Sequence, residues 1–215
     1  TYDANNKLWA AAKDKVNAQL ADLNLVALYT CPWPGQGFYF NKAVNSSKDT
    51  QGIKFRSYNS ATATFAEELG MVPVQVEAAE LSQALATGVA ESFISSGSTG
   101  YDRKVWEHLS HYYKVNAWLP RNYVMVNKGV WEGLNSDMKG AVQKAADETG
   151  AACSAKSAEL ASWYFEQLEA NGMAVEDASP EFLAELQAIG AKMTADWLAS
   201  AGADGQAILD AYKSN

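Results

Sequence analysis

Arginine is the scarce chemical group in this chain: Arg56, Arg103 and Arg121 are the only three among 215 residues. Arg56 closes the short run Ile53-Lys54-Phe55-Arg56 and is followed at once by Asn59-Ser60, residue types that start helices. In open α/β sheets ligands gather at the carboxyl ends of strands. Helix N-termini at that edge present free N–H groups and the positive end of the helix dipole. A guanidinium placed there can receive a carboxylate through two parallel charge-assisted hydrogen bonds, each contributing about 1.5–3 kcal/mol net. The competing role is a surface arginine paired with Glu67 or Glu68, or simply solvated. Asn59 reads first as a helix cap, and a cap faces the same mouth, so a ligand contact by Asn59 can coexist with capping.

Other chemistry is thinner. The run Ser95-Ser96-Gly97-Ser98-Thr99-Gly100 has the glycine content of a phosphate cradle but lacks the Gly-Lys-Ser/Thr ending of a P-loop. The Ser95 and Ser96 hydroxyls can still bond a small polar ligand, the alternative being a flexible turn. Trp33, Phe38, Tyr58, Phe93, Tyr101 and Trp118 flank strand ends. Aromatics mostly fill cores, yet several beside polar groups can line a pocket; Trp33 and Tyr58, each next to a turn and a polar group, fit that role best. His108 and His111 lie three apart, and a metal site there needs a third ligand from Glu107 or Asp102. There is no Gly-x-Ser-x-Gly elbow and no Cys–His arrangement, and the chain has two histidines in all. The reading is a binding protein without cofactor or metal, not an enzyme.

Composition narrows the partners. The net charge of −8 and pI near 4.8 disfavour nucleic acid and anionic membranes, and mean that a bound anion needs a local positive site. No apolar run is long enough to cross a bilayer, and no signal peptide is read. Cys31 and Cys153 fit no metal or redox spacing and read as two buried free thiols, a disulfide being the alternative.

The elements that must position these groups follow from hydrophobic period. Leu8, Ala12, Val16, Leu20 and Leu23 make one helical stripe, and Leu25 to Tyr29 a buried strand that the Cys31-Pro32-Trp33-Pro34-Gly35 segment breaks. Phe38 to Phe40 is extended. Strands at 53–56, 72–76 and 92–94 alternate with helices ending at Leu69 and Ala86, which implies parallel pairing with helices on both faces, an α/β class. Val115–Trp118 and Tyr123–Val126 read as strands. Asp137 to Leu168 reads as one helix, roughly 48 Å if continuous, long enough to bridge two lobes. A short strand near Met173 to Val175, a helix opened by Ser179-Pro180-Glu181 and a final helix near Gln206 to Tyr212 complete the chain.

The run Gln51-Gly52-Ile53-Lys54-Phe55-Arg56-Ser57-Tyr58-Asn59 resembles the Gly-x-Lys-x-Arg segment of the solute-binding subunits of tripartite ATP-independent periplasmic (TRAP) transporters, the DctP family. The likeness continues through Glu68-Leu69-Gly70, Pro73-Val74, Glu80, Ala84-Leu85 before Thr87-Gly88, and Tyr123-Val124-Met125-Val126-Asn127. It implies a bilobal periplasmic-binding-protein-like fold with a hinge and a long helix spanning both lobes. By the same resemblance residues 1–33 and 122–161 form lobe I, incomplete because the family's N-terminal segment has no counterpart here, and 34–121 and 162–215 form lobe II. It implies a periplasmic protein that captures a small organic acid, closes over it and delivers it to membrane permease subunits, without itself inserting into the membrane.

The resemblance makes Arg56 the carboxylate-binding arginine and Asn59 its polar neighbour. A second basic position of sialic-acid-binding members falls at Gln36, and an asparagine after the third strand falls at Ser95. Both changes point away from a sugar acid and, with the aromatic neighbours, towards a smaller or flatter one. The expected ligand set is Arg56, Asn59, Tyr58, Trp33, Gln36, Ser95 and Ser96. The competing functions are a periplasmic metal-dependent enzyme built on the histidine pair, and a ligand-sensing module of the same fold.

Overall fold

Segments of clear period take the conformation their pattern predicts, with ends shifted by a few residues. The computed structural model describes residues 1–214. In chain order its elements are α1 (Tyr2–Asp22), β1 (Leu25–Pro32), β2 (Gln36–Phe40), β3 (Lys54–Ser57), α2 (Ser60–Glu68), β4 (Val72–Gln75), α3 (Leu81–Ala86), β5 (Ser92–Ser96), α4 (Gly97–Asp102), β6 (His111–Trp118), β7 (Arg121–Asn127), α5 (Lys128–Gly133), α6 (Ser136–Ala170), β8 (Ala174–Glu176) and α7 (Pro180–Ser214), the last interrupted at Gly202. The predicted turn at 95–100 is instead the end of β5 and the short helix α4.

The described residues pack as two units. The first contains Thr1–Trp33, Leu119–Leu160 and the chain from Asp196. Its two-stranded sheet pairs β1 with β7 antiparallel, from Leu25 opposite Asn127 to Pro32 opposite Arg121. β1 thus runs through Cys31 and ends on Pro32, a strand terminus where the missing N–H costs little. The two cysteines are bonded rather than free: the Cys31–Cys153 disulfide joins β1 to α6 across 122 residues, with Cα atoms 5.7 Å apart. Their separation in sequence hid a pairing that the packing of α6 beside β1 makes, where Gly150 lies against Tyr29. The expected lobe boundaries group 162–215 with lobe II; here the chain beyond Asp196 packs with the first unit, where Lys15 pairs with Asp204.

The second unit contains Pro34–Trp118 and Ala161–Ala195. Its six-stranded sheet has the order β4-β3-β5-β2-β6-β8. The strand–helix repeat gives the parallel pairs expected of it, β3 with β4 and β3 with β5. β2 inserts antiparallel to both β5 and β6, and β8 returns parallel to β6. Both faces are buried, and the alternation of side chains along a strand decides which residue serves which face. Phe38 and Phe40 of β2, Phe55 of β3 and Ile94 of β5 pack with Phe65 and Leu69 from the α2 region and with Phe182 of α7. Tyr39, Phe93 and Tyr112 pack on the other face with Leu81 and Leu85 of α3 and Leu168 of α6.

Phe38 is the centre of the first face. Its ring lies 5.6 Å from Phe40, 5.7 Å from Phe65, 5.9 Å from Phe182 and 6.1 Å from Phe55, and it is fully buried. Truncation leaves a cavity bordered by four rings on rigid elements. Phe38→Ala is therefore expected to lower unfolding stability by about 3–5 kcal/mol in a denaturant titration, and a loss below 1 kcal/mol would contradict this packing.

Candidate functional site

Sheet topology brings six of the seven predicted ligand residues to one edge of the second unit. β3 and β5 run parallel, with Arg56 opposite Phe93, so their carboxyl ends point the same way. β2 is antiparallel to β5 and begins where β5 ends, with Gln36 opposite Ser96. Arg56, Tyr58 and Asn59 at the end of β3, Ser95 and Ser96 at the end of β5, and Gln36 at the start of β2 therefore share that edge. Trp33 belongs to the first unit, where its Nε1–H donates to Asn122 Oδ1 at 2.8 Å.

Arg56 is 4% exposed. Its Nε–H donates to the Val76 carbonyl at 2.8 Å, and its guanidinium sits 5.2 Å from the centre of the Tyr58 ring. The register of β3 on β4, which places Arg56 beside Val74, carries the chain on to Val76. Nη1 and Nη2 have no acceptor among the described residues. Neither nitrogen is sealed off, because Ser92 Oγ is the one fully enclosed, unpartnered side-chain N or O atom described. None of the ion pairs among the described residues involves Arg56. Glu68, one of its expected surface partners, pairs instead with Lys192. Burial lowers the Arg56 pKa from its ordinary value, with Tyr58 and then Glu77 pulling it back up; a guanidinium remains a cation throughout the physiological range.

Arg121 shows the contrasting case. All three of its guanidinium nitrogens are engaged within the first unit: Nε by Asn5 Oδ1, Nη1 by Thr30 Oγ1 at 3.0 Å and Nη2 by Asn6 Oδ1. It borders a hollow with Trp9, Leu119 and Tyr123, but its donors are already committed. Of these two guanidinium groups, Arg56 is the one with a forked end to offer.

The neighbours of Arg56 are held in place by their own bonds. Tyr58 Oη–H donates to Gln36 Oε1 at 2.7 Å. Burial raises the Tyr58 pKa, the Gln36 hydrogen bond and the Arg56 charge opposing it, so the phenol stays a protonated donor at neutral pH. Asn59 caps α2: its Oδ1 accepts from Thr62 N–H at 2.9 Å, while Thr62 Oγ1 accepts from the Asn59 and Tyr58 N–H groups at 3.3 and 3.2 Å. Ser95 Oγ–H donates to Thr99 Oγ1 at 2.8 Å, and the Ser96 and Ser98 hydroxyls share a bond of 2.8 Å. The glycines of this stretch serve packing rather than a phosphate: a Cβ on Gly100 would meet Tyr39 Oη at 2.2 Å, and one on Gly97 would meet Tyr164 Cβ at 3.0 Å.

Three contributors escaped the sequence. The Val76 carbonyl that aims Arg56 is a backbone group and carries no sequence signal. Thr62, the reciprocal partner of Asn59, was legible as the third helical residue after a cap. Thr99 lies in α4 and meets Ser95 of β5 across the strand-to-helix junction, a contact that the sequence pattern does not encode. His111 lies in β6 with its Nδ1 at 2.8 Å from Ser110 Oγ, and no group of three His, Cys, Asp or Glu suited to a metal occurs among the described residues.

A two-unit α/β chain with a buried, forked cation at the carboxyl ends of its strands has the make-up of a solute-binding protein. The chain belongs to the bacterial extracellular solute-binding protein family 7 (DctP), whose model matches residues 2–200, and is a TRAP solute-binding protein. It is 84% identical, with a TM-score of 0.98, to a TRAP solute-binding protein from a marine metagenome described as specific for pyroglutamate, in complex with co-purified pyroglutamate; the match covers 100% of this chain and 71% of that one. It is 42% identical, with a TM-score of 0.98, to the Bordetella pertussis extracytoplasmic solute receptor DctP6, described as binding pyroglutamic acid, again over 100% and 71% of the two chains. A second B. pertussis receptor of the same description, DctP7, is 35% identical with a TM-score of 0.97 over 99% of this chain and 71% of its own.

The Asn59 cap is testable by itself. Asn59→Ala removes the acceptor for Thr62 N–H and is expected to cost about 1 kcal/mol of stability, with Asn59→Ser recovering most of it. Equal stability of all three proteins in urea titrations would show that the cap contributes nothing.

Proposed function

We propose that this protein captures pyroglutamate in the periplasm and delivers it to the membrane permease subunits of a TRAP transporter, binding its ligand without transforming it. The observation that carries the reading is Arg56: a buried cation, anchored by one backbone carbonyl, with no acceptor for either terminal nitrogen among the described residues. A carboxylate meets that fork with two parallel bonds. The chain's net charge of −8 gives no general attraction for an anion, so selection rests on this local group. The descriptions of the relatives supply the ligand: two proteins, at 84% and 42% identity, are described as binding pyroglutamate, a ring small and flat enough to fit the sequence-based expectation.

Asn59 and, at the end of β5, Ser95 and Ser96 add polar contacts at the same edge, and Tyr58 adds an aromatic wall. Trp33 keeps the apolar ligand contact expected of it from the sequence as a proposal. The sensing role is the second reading; an operon containing TRAP permease genes beside this one favours transport.

Isothermal titration with pyroglutamate tests the reading. Arg56→Ala is expected to weaken binding at least about 100-fold, since two charge-assisted bonds are lost. Arg56→Lys is expected to recover only a small part of that, because an ammonium cannot reproduce the fork. Unchanged affinity in Arg56→Ala would overturn the proposal.

A further inference from the structure

Gln36 is the buried predicted ligand residue whose side-chain amide is fixed at one end and open at the other; the amide of Asn59, bonded through Oδ1, is exposed. It is 6% exposed, and it is held at the start of β2 between two strands, opposite Ser96 of β5 and Trp118 of β6. Its backbone neighbours are tightly fitted: a Cβ on Gly35 would collide with Asn116 Oδ1 at 1.9 Å, and one on Gly37 with the Tyr113 carbonyl at 2.1 Å. The Gln36 backbone is therefore locked, and little freedom remains above it.

Tyr58 sets the rest. Its hydroxyl donates to Gln36 Oε1 at 2.7 Å, which fixes the amide with the oxygen turned to Tyr58 and the Nε2 hydrogens turned away. Those hydrogens have no acceptor among the described residues, and the nitrogen is not sealed from solvent. The same Tyr58 ring carries the Arg56 guanidinium on its face, 5.2 Å from its centre. One aromatic ring thus spaces two sets of unused donors, a cationic fork and a neutral amide. A carboxylate alone satisfies only the fork. A ligand that also carries a neutral carbonyl oxygen satisfies both, and a buried donor left without its acceptor penalises any ligand lacking one.

We infer that Gln36 is the specificity-determining residue that reads a neutral carbonyl on the ligand, through Nε2, and that Tyr58 is the positioning residue that fixes its amide. On the pyroglutamate reading, on which this inference rests, the carbonyl is that of the lactam. The residue at 36 then selects lactam acids over simple ring carboxylates, while Arg56 accepts both.

The test measures affinities of the chain for pyroglutamate and for cyclopentanecarboxylate, a ring of the same size with the carboxylate but no lactam. The wild type is expected to favour pyroglutamate. Gln36→Leu is expected to reduce that preference about 10- to 100-fold, by weakening pyroglutamate binding. Tyr58→Phe keeps the ring over Arg56 and releases the amide, and is expected to reduce the preference by about two- to tenfold. Circular dichroism melts confirm that each variant is folded; should Gln36→Leu not fold, Tyr58→Phe decides by itself. A preference ratio that stays at the wild-type value in the folded variants overturns this inference while leaving pyroglutamate capture intact. Failure of the wild type to bind pyroglutamate overturns both.

Discussion

A guanidinium removed from water loses several kcal/mol of solvation that protein groups must replace. At Arg56 they replace it only in part. The Val76 carbonyl takes one N–H and the Tyr58 ring faces the cation, but no carboxylate of the described chain closes an ion pair with it. The two terminal nitrogens suit an anion with two oxygens in a plane, the role proposed for Arg56. Arg121, with oxygen acceptors on all three nitrogens, shows what a structurally satisfied arginine looks like in the same protein. The incomplete satisfaction of Arg56 is the physical basis for reading it as a receptor.

The rest of the second unit explains how such a group is held ready. Parallel β3 and β5 end together, antiparallel β2 starts at the same edge, and each of the three contributes polar side chains there. Both faces of the sheet are covered, so these strands are fixed by apolar packing on either side, with Phe38 at the centre of one face and Tyr39 stacked on Phe93 at 4.4 Å on the other. Preorganisation of this kind spares a ligand the cost of ordering its own site. The polar groups are tied to one another as well, through the Tyr58–Gln36, Asn59–Thr62 and Ser95–Thr99 bonds.

Much of this was legible in the residues. The strand–Arg–Asn–helix unit appears as β3 and α2 with Asn59 as cap, and the long periodic segment is the 35-residue helix α6. The class and the family were readable because ordered motifs run along nearly the whole chain. What could not be read depends on contacts between distant segments. The disulfide needs α6 laid beside β1, the antiparallel insertion of β2 depends on partners far away in sequence, and the chain beyond Asp196 joins the first unit through packing that helical periodicity does not encode. The Ser95–Gly100 stretch misled for a local reason: its glycines suggest a flexible turn, whereas two of them are required by the close approach of Tyr39 and of Tyr164 with Phe165.

The most direct test of the central claim is a crystal structure of this chain grown with pyroglutamate. Both carboxylate oxygens are expected about 2.7–2.9 Å from the terminal nitrogens of Arg56, with Nε still on the Val76 carbonyl. A ligand bound with its carboxylate elsewhere, and Arg56 left in water or turned to a protein acid, would contradict it.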